Sequence, residues 1–258
     1  MDAMENELIF DVTDLCYAYD QKIPALDHVN LAVAVGEHLV ILGANGCGKS
    51  TLLKILDGLY FPDRGSVRAF GNPLTEAALL ENTFNFDFRR RVSLVFQDTD
   101  VQLFMPSVWD EVAFAPLQLG VSQEEVKQRV ASAMAALQIE KLRDRPPHQL
   151  SSGEKRRVAL ASVLSLSPDV WLLDEPTTGL DPRSQGWLVE FILNQRKSGK
   201  TLVTATHDLT IAEQIATRIL VFDEEHHVVA SGEPAEILGD HELLHHCNLS
   251  HFHVPASG

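Results

Sequence analysis

Positive charge is scarce in this sequence: 21 Lys and Arg residues stand against 36 Asp and Glu, a formal net charge of -15. Phosphate backbones are bound by an excess of cations, so no nucleic-acid partner is expected. Long apolar runs are missing too, and none approaches the roughly 20 residues that a helix needs to cross a bilayer. The opening residues, MDAMENELIF, are acidic and carry neither the basic start nor the apolar stretch of a secretory signal. The few cysteines, Cys16, Cys47 and Cys247, form an odd and scattered set without a CxxC pair. That excludes a zinc knuckle or disulfide framework and fits a reducing compartment. The expected location is the cytoplasm, or the cytoplasmic face of the cell membrane, peripherally, if a partner holds the chain there.

What remains is an ordinary globular composition, 45% apolar and 22% charged. The 258 residues suffice for one sizeable core with a subdomain, but not for two full domains. Leu8 to Phe10 and the alternating Val29, Leu31, Val33 and Val35 read as strands, and His38 to Leu42 is an apolar run ending at a glycine. A helix follows from Ser50, and Pro62 to Gly65 is a turn before a short strand pair around Ser66 to Phe70. The segment 71–90 reads as polar and irregular. Val92 to Phe96 is a compact strand, and 98–165 is mainly helical, with Ser122 to Glu125 as a capping-box start. Val170 to Leu173 and Thr201 to Thr206 are further strands, with a helix over Gly186 to Arg196 between them. Strands separated by helices predict an α/β fold with a largely parallel, twisted sheet that binds ligands at the carboxyl ends of its strands.

Gly43-Ala44-Asn45-Gly46-Cys47-Gly48-Lys49-Ser50-Thr51 matches G-x-x-x-x-G-K-[ST] in full, between a buried strand and a helix. The glycines permit a tight turn whose amides converge on phosphate oxygens, and the helix N-terminus adds positive potential. In this P-loop reading Lys49 reaches the β- and γ-phosphates of ATP and Ser50 binds Mg²⁺. A chance match in a chain of this length has odds of roughly one per cent, and the strand-to-helix setting lowers them further.

Val170 to Glu175 is an apolar strand that delivers two acids at its carboxyl end, the pattern of a Walker B motif. Asp174 is the candidate Mg²⁺ ligand, and Glu175 the group that polarises the attacking water. Two further strand ends fit the same site: Gln97 toward Mg²⁺ and the lytic water, and His207 toward the γ-phosphate. A lone histidine at a strand end is more often a partly exposed residue, and its place after a third core strand is what makes His207 a candidate.

Leu150-Ser151-Ser152-Gly153-Glu154 precedes an apolar helix, with Lys155, Arg156 and Arg157 in its first turn. Free amides there suit an anion, whereas three cations oppose the helix dipole. Either a negative partner or neighbouring acids would explain them. With these residues the chain resembles the ABC ATPase family over about residues 7–235. LSSGE is similar to the LSGGQ signature, with Ser152 in place of glycine and Glu154 in place of glutamine. Thr178 to Pro182 resembles the D-loop with Asp181. Tyr19 resembles the aromatic that stacks on adenine, with Tyr17 as the competing choice. The resemblance implies a P-loop NTPase core, a mixed, largely parallel sheet, an N-terminal antiparallel β subdomain and an inserted helical subdomain. The ATPase domain is expected over 7–240, with the helical subdomain at about 98–165 and a histidine-containing tail over 241–258. It further implies a head-to-tail dimer, of identical or related chains. Each ATP is then held by the P-loop of one subunit and by Ser151 and Gly153 of the other.

Val95 to Phe104, Val112 to Gly120 and Gly153 to Leu160 look specifically like the energy-coupling-factor subgroup. There, two ATPases drive a transmembrane coupling protein and a separate substrate-capturing membrane protein. The substrates implied are nickel or cobalt ions, or vitamins. Leu103, Phe104, Met105, Val108 and Trp109 are candidates to line a groove beside Gln97 for the coupling protein, although apolar residues are more often ordinary core. His241, His245, His246, His251, His253 and Cys247 are soft and borderline ligand types, and His241 and His245 stand four apart. A solvated tail with incidental histidines is the plainer reading. Nickel or cobalt import is the expected function, with vitamin import, an exporter or a soluble ABC ATPase as alternatives. Fused membrane helices, tandem domains, coiled-coil insertions and zinc modules, which would favour the last two, are not visible.

Overall fold

The computed structural model describes residues 7–250. Strands β1 (Leu8–Tyr19) and β2 (Ile23–Ala34) pair antiparallel, and β3 (His38–Leu42) follows with all of its residues buried. β4 (Arg64–Ala69) pairs antiparallel with β1 and with the short β5 (Asn72–Pro73), giving a four-stranded sheet in the order β2-β1-β4-β5. β6 (Val92–Val95), β7 (Val170–Asp174), β8 (Thr201–Thr206), β9 (Arg218–Phe222) and β10 (Val228–Gly232) join β3 in a six-stranded sheet, order β10-β9-β3-β8-β7-β6. Its pairs are parallel apart from β10 with β9. The mixed, largely parallel sheet and the antiparallel β subdomain are thus as expected.

The larger sheet is covered on both faces, so its strands read as continuous apolar runs, yet alternate residues still serve different cores. Val40, Leu42, Trp171, Leu173, Ile219 and Val221 face one core, with the helical layer. Leu39, Ile41, Val170, Leu172, Leu220 and Phe222 face the other, shared with the antiparallel sheet and with helix α1 (Lys49–Leu56).

Helices α2 (Glu76–Leu80) and α3 (Asn82–Arg91) replace the irregular structure expected over 71–90. Phe84, Phe86 and Phe88 alternate among Asn, Thr and Asp, which gives no helical period. Tertiary contacts decide instead: Phe88 is buried in the core, and Arg89 donates to the Asp57 carbonyl oxygen at 2.6 Å. The helical layer consists of α4 (Val108–Gln118), α5 (Gln123–Ala136) and α6 (Ser152–Leu164), so regular helix starts ten residues later than expected. At α5 only half of the expected capping box forms. The Ser122 hydroxyl accepts from the Glu125 amide at 3.3 Å, whereas the Glu125 carboxylate turns to Arg129 at 2.6 Å.

α7 (Pro182–Lys197), α8 (Leu209–Ile215), α9 (Pro234–Gly239) and α10 (His241–His246) complete the chain. His241 and His245 do share a helix, but Leu244 on the same helix is buried, Cys247 belongs to the first core, and burial pushes the Cys247 thiol up to about 11. Cys247 is therefore a core residue, and among the described residues it gathers into no cluster of ligand atoms with those histidines; His251 and His253 lie outside the described residues. Among the described residues no helix is long and apolar enough to cross a membrane.

β3 opens with a fully buried histidine. His38 Nε2 lies 3.1 Å from Thr204 Oγ1, while Nδ1 has no hydrogen-bond partner. Burial, aided by the charge of Arg196, holds its pKa down to about 3. The unfolded chain takes up a proton near 6.5 that the folded chain refuses, so stability from this residue is complete above pH 6.5 and is lost as pH falls toward 3. The slope for one such group is about 1.4 kcal/mol per pH unit. Denaturant unfolding of the wild type and His38→Leu should show the variant gaining by that slope between pH 6 and pH 5. Parallel curves would show that His38 titrates normally.

Candidate active site

The turn from β3 into α1 is shaped by close approach. Gly46 (φ 89°) and Gly48 (φ 112°) are left-handed, and a Cβ on Gly48 would sit 2.2 Å from the Ala25 carbonyl oxygen. Cys47, though central to the loop, faces inward and is buried. Lys49 is only 5% exposed, and its ammonium donates to the carbonyl oxygens of Gly43 (2.7 Å) and Ala44 (2.9 Å). Its Nζ also lies 3.7 Å from Glu175 Oε1.

β7 delivers the two acids side by side. Ser50 donates its hydroxyl to Asp174 Oδ1 at 2.8 Å, and burial raises the Asp174 pKa against that bond. Glu175 follows in a left-handed conformation (φ 42°), with its amide bonded to Ala205 O. Its carboxylate is 3% exposed and held on several sides: His207 Nδ1 at 2.9 Å on Oε1, and the hydroxyls of Thr178 and Thr206, each 3.3 Å from Oε2. A carboxylate so restrained keeps one orientation.

These elements open on a cavity of about 470 Å³ lined by Tyr19, Asn45, Gly46, Gly48, Lys49, Ser50, Thr51, Gln97 and Glu175. Tyr19 donates to, or accepts from, Thr51 Oγ1 at 2.9 Å; Tyr17 does not line the cavity but stacks on Tyr60. His207 and Asp174 reach the cavity through Glu175 and Ser50. His226, which carried no motif, also lines it, with Nδ1 3.1 Å from Cys47 O. It belongs to the turn between β9 and β10, some 180 residues away in sequence, and no local pattern could have revealed it. Thr178 and Thr206 stand in the sequence only as the start of the D-loop and the end of a strand, and their bonds to Glu175 are visible only in three dimensions.

Ser151, Gly153 and Asp181 do not join this cavity. They line a separate one of about 480 Å³, together with Glu154, Arg157 and Ser184. Here the departure from the signature has a local cause: Ser151 and Glu154 form a full capping box, in which Glu154 Oε2 accepts from the Ser151 amide at 2.8 Å. Those bonds hold the Glu154 carboxyl below its usual pKa. Asp181 caps α7 through the amides of Arg183 and Ser184.

The basic turn that opposes the dipole of α6 is explained by acids and carbonyls within the chain. Lys155 pairs with Asp100 at 2.5 Å, and Arg156 donates to the carbonyl oxygens of Phe96 (2.7 Å) and Gln97 (2.8 Å). Arg157 reaches Leu137 O and stacks over Trp187.

A third cavity, of about 850 Å³, lies along the helical layer and is lined by Met105, Trp109, Ala113, Phe114, Leu117 and Arg143 among others. Of the groove candidates, Met105 and Trp109 line it. Phe104 is exposed and packs edge-on to Phe114. Leu103 and Val108 are core residues instead, because the turn before α4 directs them inward.

Residues 26–178 match the family model described as ABC transporter. The chain is 47% identical over 243 residues to the nickel import ATP-binding protein NikO of Rhodobacter capsulatus, covering 93% of this chain and 95% of that one. With the cobalt import ATP-binding protein CbiO of the same organism it shares 46% over 230 residues, covering 89% and 80%. Among solved structures, cbiO1 of Clostridium perfringens, part of the ABC transporter complex cbiONQ, superposes with a TM-score of 0.79 at 35% identity, over 94% of this chain and 95% of that one. A dimeric ATP-binding cassette in a post-hydrolysis state with ADP and Pi matches with a TM-score of 0.78 at 26% identity, over 87% and 98%. The chain belongs to the ABC transporter ATP-binding family.

As an ABC ATPase it is an ATP hydrolase that energises transport. The family loop tolerates no side chain at Gly48, both for its φ and for the Ala25 carbonyl. Gly48→Ala should therefore lower ATP affinity at least about tenfold, equivalent to about 1.4 kcal/mol, as measured with a fluorescent nucleotide. Gly186→Ala, in open space on α7, should leave affinity unchanged. Equal affinities for the two variants would refute this account of the loop.

Proposed function

We propose that this chain is the ATP-hydrolysing subunit of an importer for a divalent transition-metal ion, nickel or cobalt, acting as half of a head-to-tail dimer at the cytoplasmic face of the membrane. The observation that carries the dimer is the separation of Ser151, Gly153 and Asp181 from the Lys49 cavity. One chain holds two incomplete halves of a nucleotide site, and a second copy, or a related chain, completes both. The dimeric cassette among the structural neighbours supports this arrangement. The nickel and cobalt importers among the relatives support the metal as cargo.

In this reading Tyr19 stacks on adenine, and the amides of Gly43 to Thr51 receive the phosphates, with Lys49 turning from its carbonyl partners to the β- and γ-phosphates. Ser50 and Asp174 present two hard oxygen donors 2.8 Å apart, a donor set that suits Mg²⁺, with Gln97 as a further ligand. Mg²⁺ held there would neutralise charge on the phosphate oxygens. Glu175 orients the attacking water and accepts its proton, and His207, steered by Glu175, hydrogen-bonds the γ-phosphate. Ser151 and Gly153 of the second subunit cover the phosphates from the other side, and Asp181 shapes the same contact.

A membrane-embedded coupling protein docks a cytoplasmic helix in the groove of Met105, Trp109, Phe114 and Leu117, and a separate membrane protein captures the metal. The groove is apolar, and its loop is tied to the nucleotide side: Gln102 Oε1 accepts from the Phe96 amide, and Glu111 accepts from the amides of Phe104 and Met105.

Glu175→Gln should keep ATP affinity, lose turnover at least about 100-fold, and accumulate an ATP-bound dimer on gel filtration. Wild-type turnover would remove Glu175 from this role. Polytopic membrane proteins should co-purify stoichiometrically with the tagged variant from gently solubilised membranes, and cells carrying it should fail to take up nickel or cobalt. Soluble partners alone would leave the ATPase without the transport role proposed here.

A further inference from the structure

The antiparallel sheet carries a cluster of ligand-type side chains that the nucleotide chemistry does not use. Leu15 and Tyr17 of β1 pair with Val29 and Leu26 of β2, with a register shift between these two pairs. Cys16 on one strand is therefore opposed by both Asp27 and His28 on the other. A bulge of this kind re-aims side chains that regular pairing would separate. Here it gathers a thiol, a carboxylate and an imidazole whose ligand atoms all lie within 4.8 Å of one another.

The spacing is that of a coordination shell. Metal bonds of about 2.0–2.3 Å place neighbouring ligands of a tetrahedron roughly 3.3–3.8 Å apart. Asp27 Oδ1 is 3.7 Å from Cys16 Sγ and 3.6 Å from His28 Nε2. The outer contacts are also those that metal ligands need. His28 Nδ1 is bonded to Asp14 at 2.5 Å, which fixes the ring and leaves Nε2 as the coordinating atom. Asp27 Oδ2 is bonded to His227 Nε2 at 2.9 Å, which leaves Oδ1 for the ion. Ligating histidines and carboxylates are oriented by partners of this sort.

We propose that Cys16, Asp27 and His28 form a binding site for one borderline divalent transition-metal ion, of the zinc, cobalt or nickel type. A mixed sulfur, nitrogen and oxygen set selects such ions over magnesium or calcium. Asp14 and His227 are positioning residues. The site is wired to the nucleotide loop: the Asp27 amide donates to His226 O, and His226 Nδ1 lies 3.1 Å from Cys47 O. The proposal stands on this geometry alone and does not depend on which substrate the transporter carries.

The test is a titration of the reduced, full-length chain with cobalt(II) chloride, followed by absorption. One equivalent should bring in a thiolate-to-cobalt charge-transfer band together with tetrahedral d–d bands. Histidines elsewhere on the chain cannot produce the thiolate band. Cys16→Ser should abolish it, Cys247→Ser should retain it, and Asp14→Asn should weaken cobalt affinity about tenfold or more while keeping the band. A wild-type chain that shows no thiolate band in excess cobalt would overturn the proposal. So would a band that survives Cys16→Ser.

Discussion

A buried ammonium group is the constraint around which the nucleotide region is organised. Lys49 lies at the first turn of α1, where a helix dipole and free amides already make the surroundings positive. A desolvated cation there is tolerated only if acceptors close around it. Two of these are the carbonyl oxygens of Gly43 and Ala44 in its own loop, and a carboxylate is contributed by Glu175, just past β7. The left-handed backbone at Glu175 and the threonine and histidine contacts to its carboxylate follow from holding that acid beside the cation. The orientation of the acid and the path of the β3–α1 turn are thus aspects of one electrostatic arrangement.

Much of this was legible along the chain because parallel strands buried on both faces leave unbroken apolar runs, and the chemistry sits where those runs stop. Leu42, Asp174 and Thr206 each end a strand of that type, and Gly43 to Thr51, Glu175 and His207 follow directly. The residues that escaped are of another kind. His226 approaches the P-loop from a turn whose sequence says nothing of its neighbours. Phe88 builds α3 through a core contact against weak local propensity. Leu103 and Val108 look like any exposed apolar residues until the turn before α4 shows which way they face. Cys247 seemed to belong with the histidines around it, and its burial separates it from them.

The two departures in the signature have different weights. Glu154 keeps the hydrogen-bonding role that glutamine has at the third position of a capping box, and adds a charge held ionised by the Ser151 amide and hydroxyl. Ser152 is the first helical residue and is exposed, so its side chain meets no steric objection within the chain.

Arg156 has a mechanical consequence. Its guanidinium grips two successive carbonyls at the end of β6, and a planar fork with donors on both arms resists bending in a way that a single ammonium contact would not. α6 and the strand end that carries Gln97 are thereby joined without slack. A tilt of the helical layer would therefore carry Gln97 with it, and so link the groove beside Trp109 to the cavity beside Lys49.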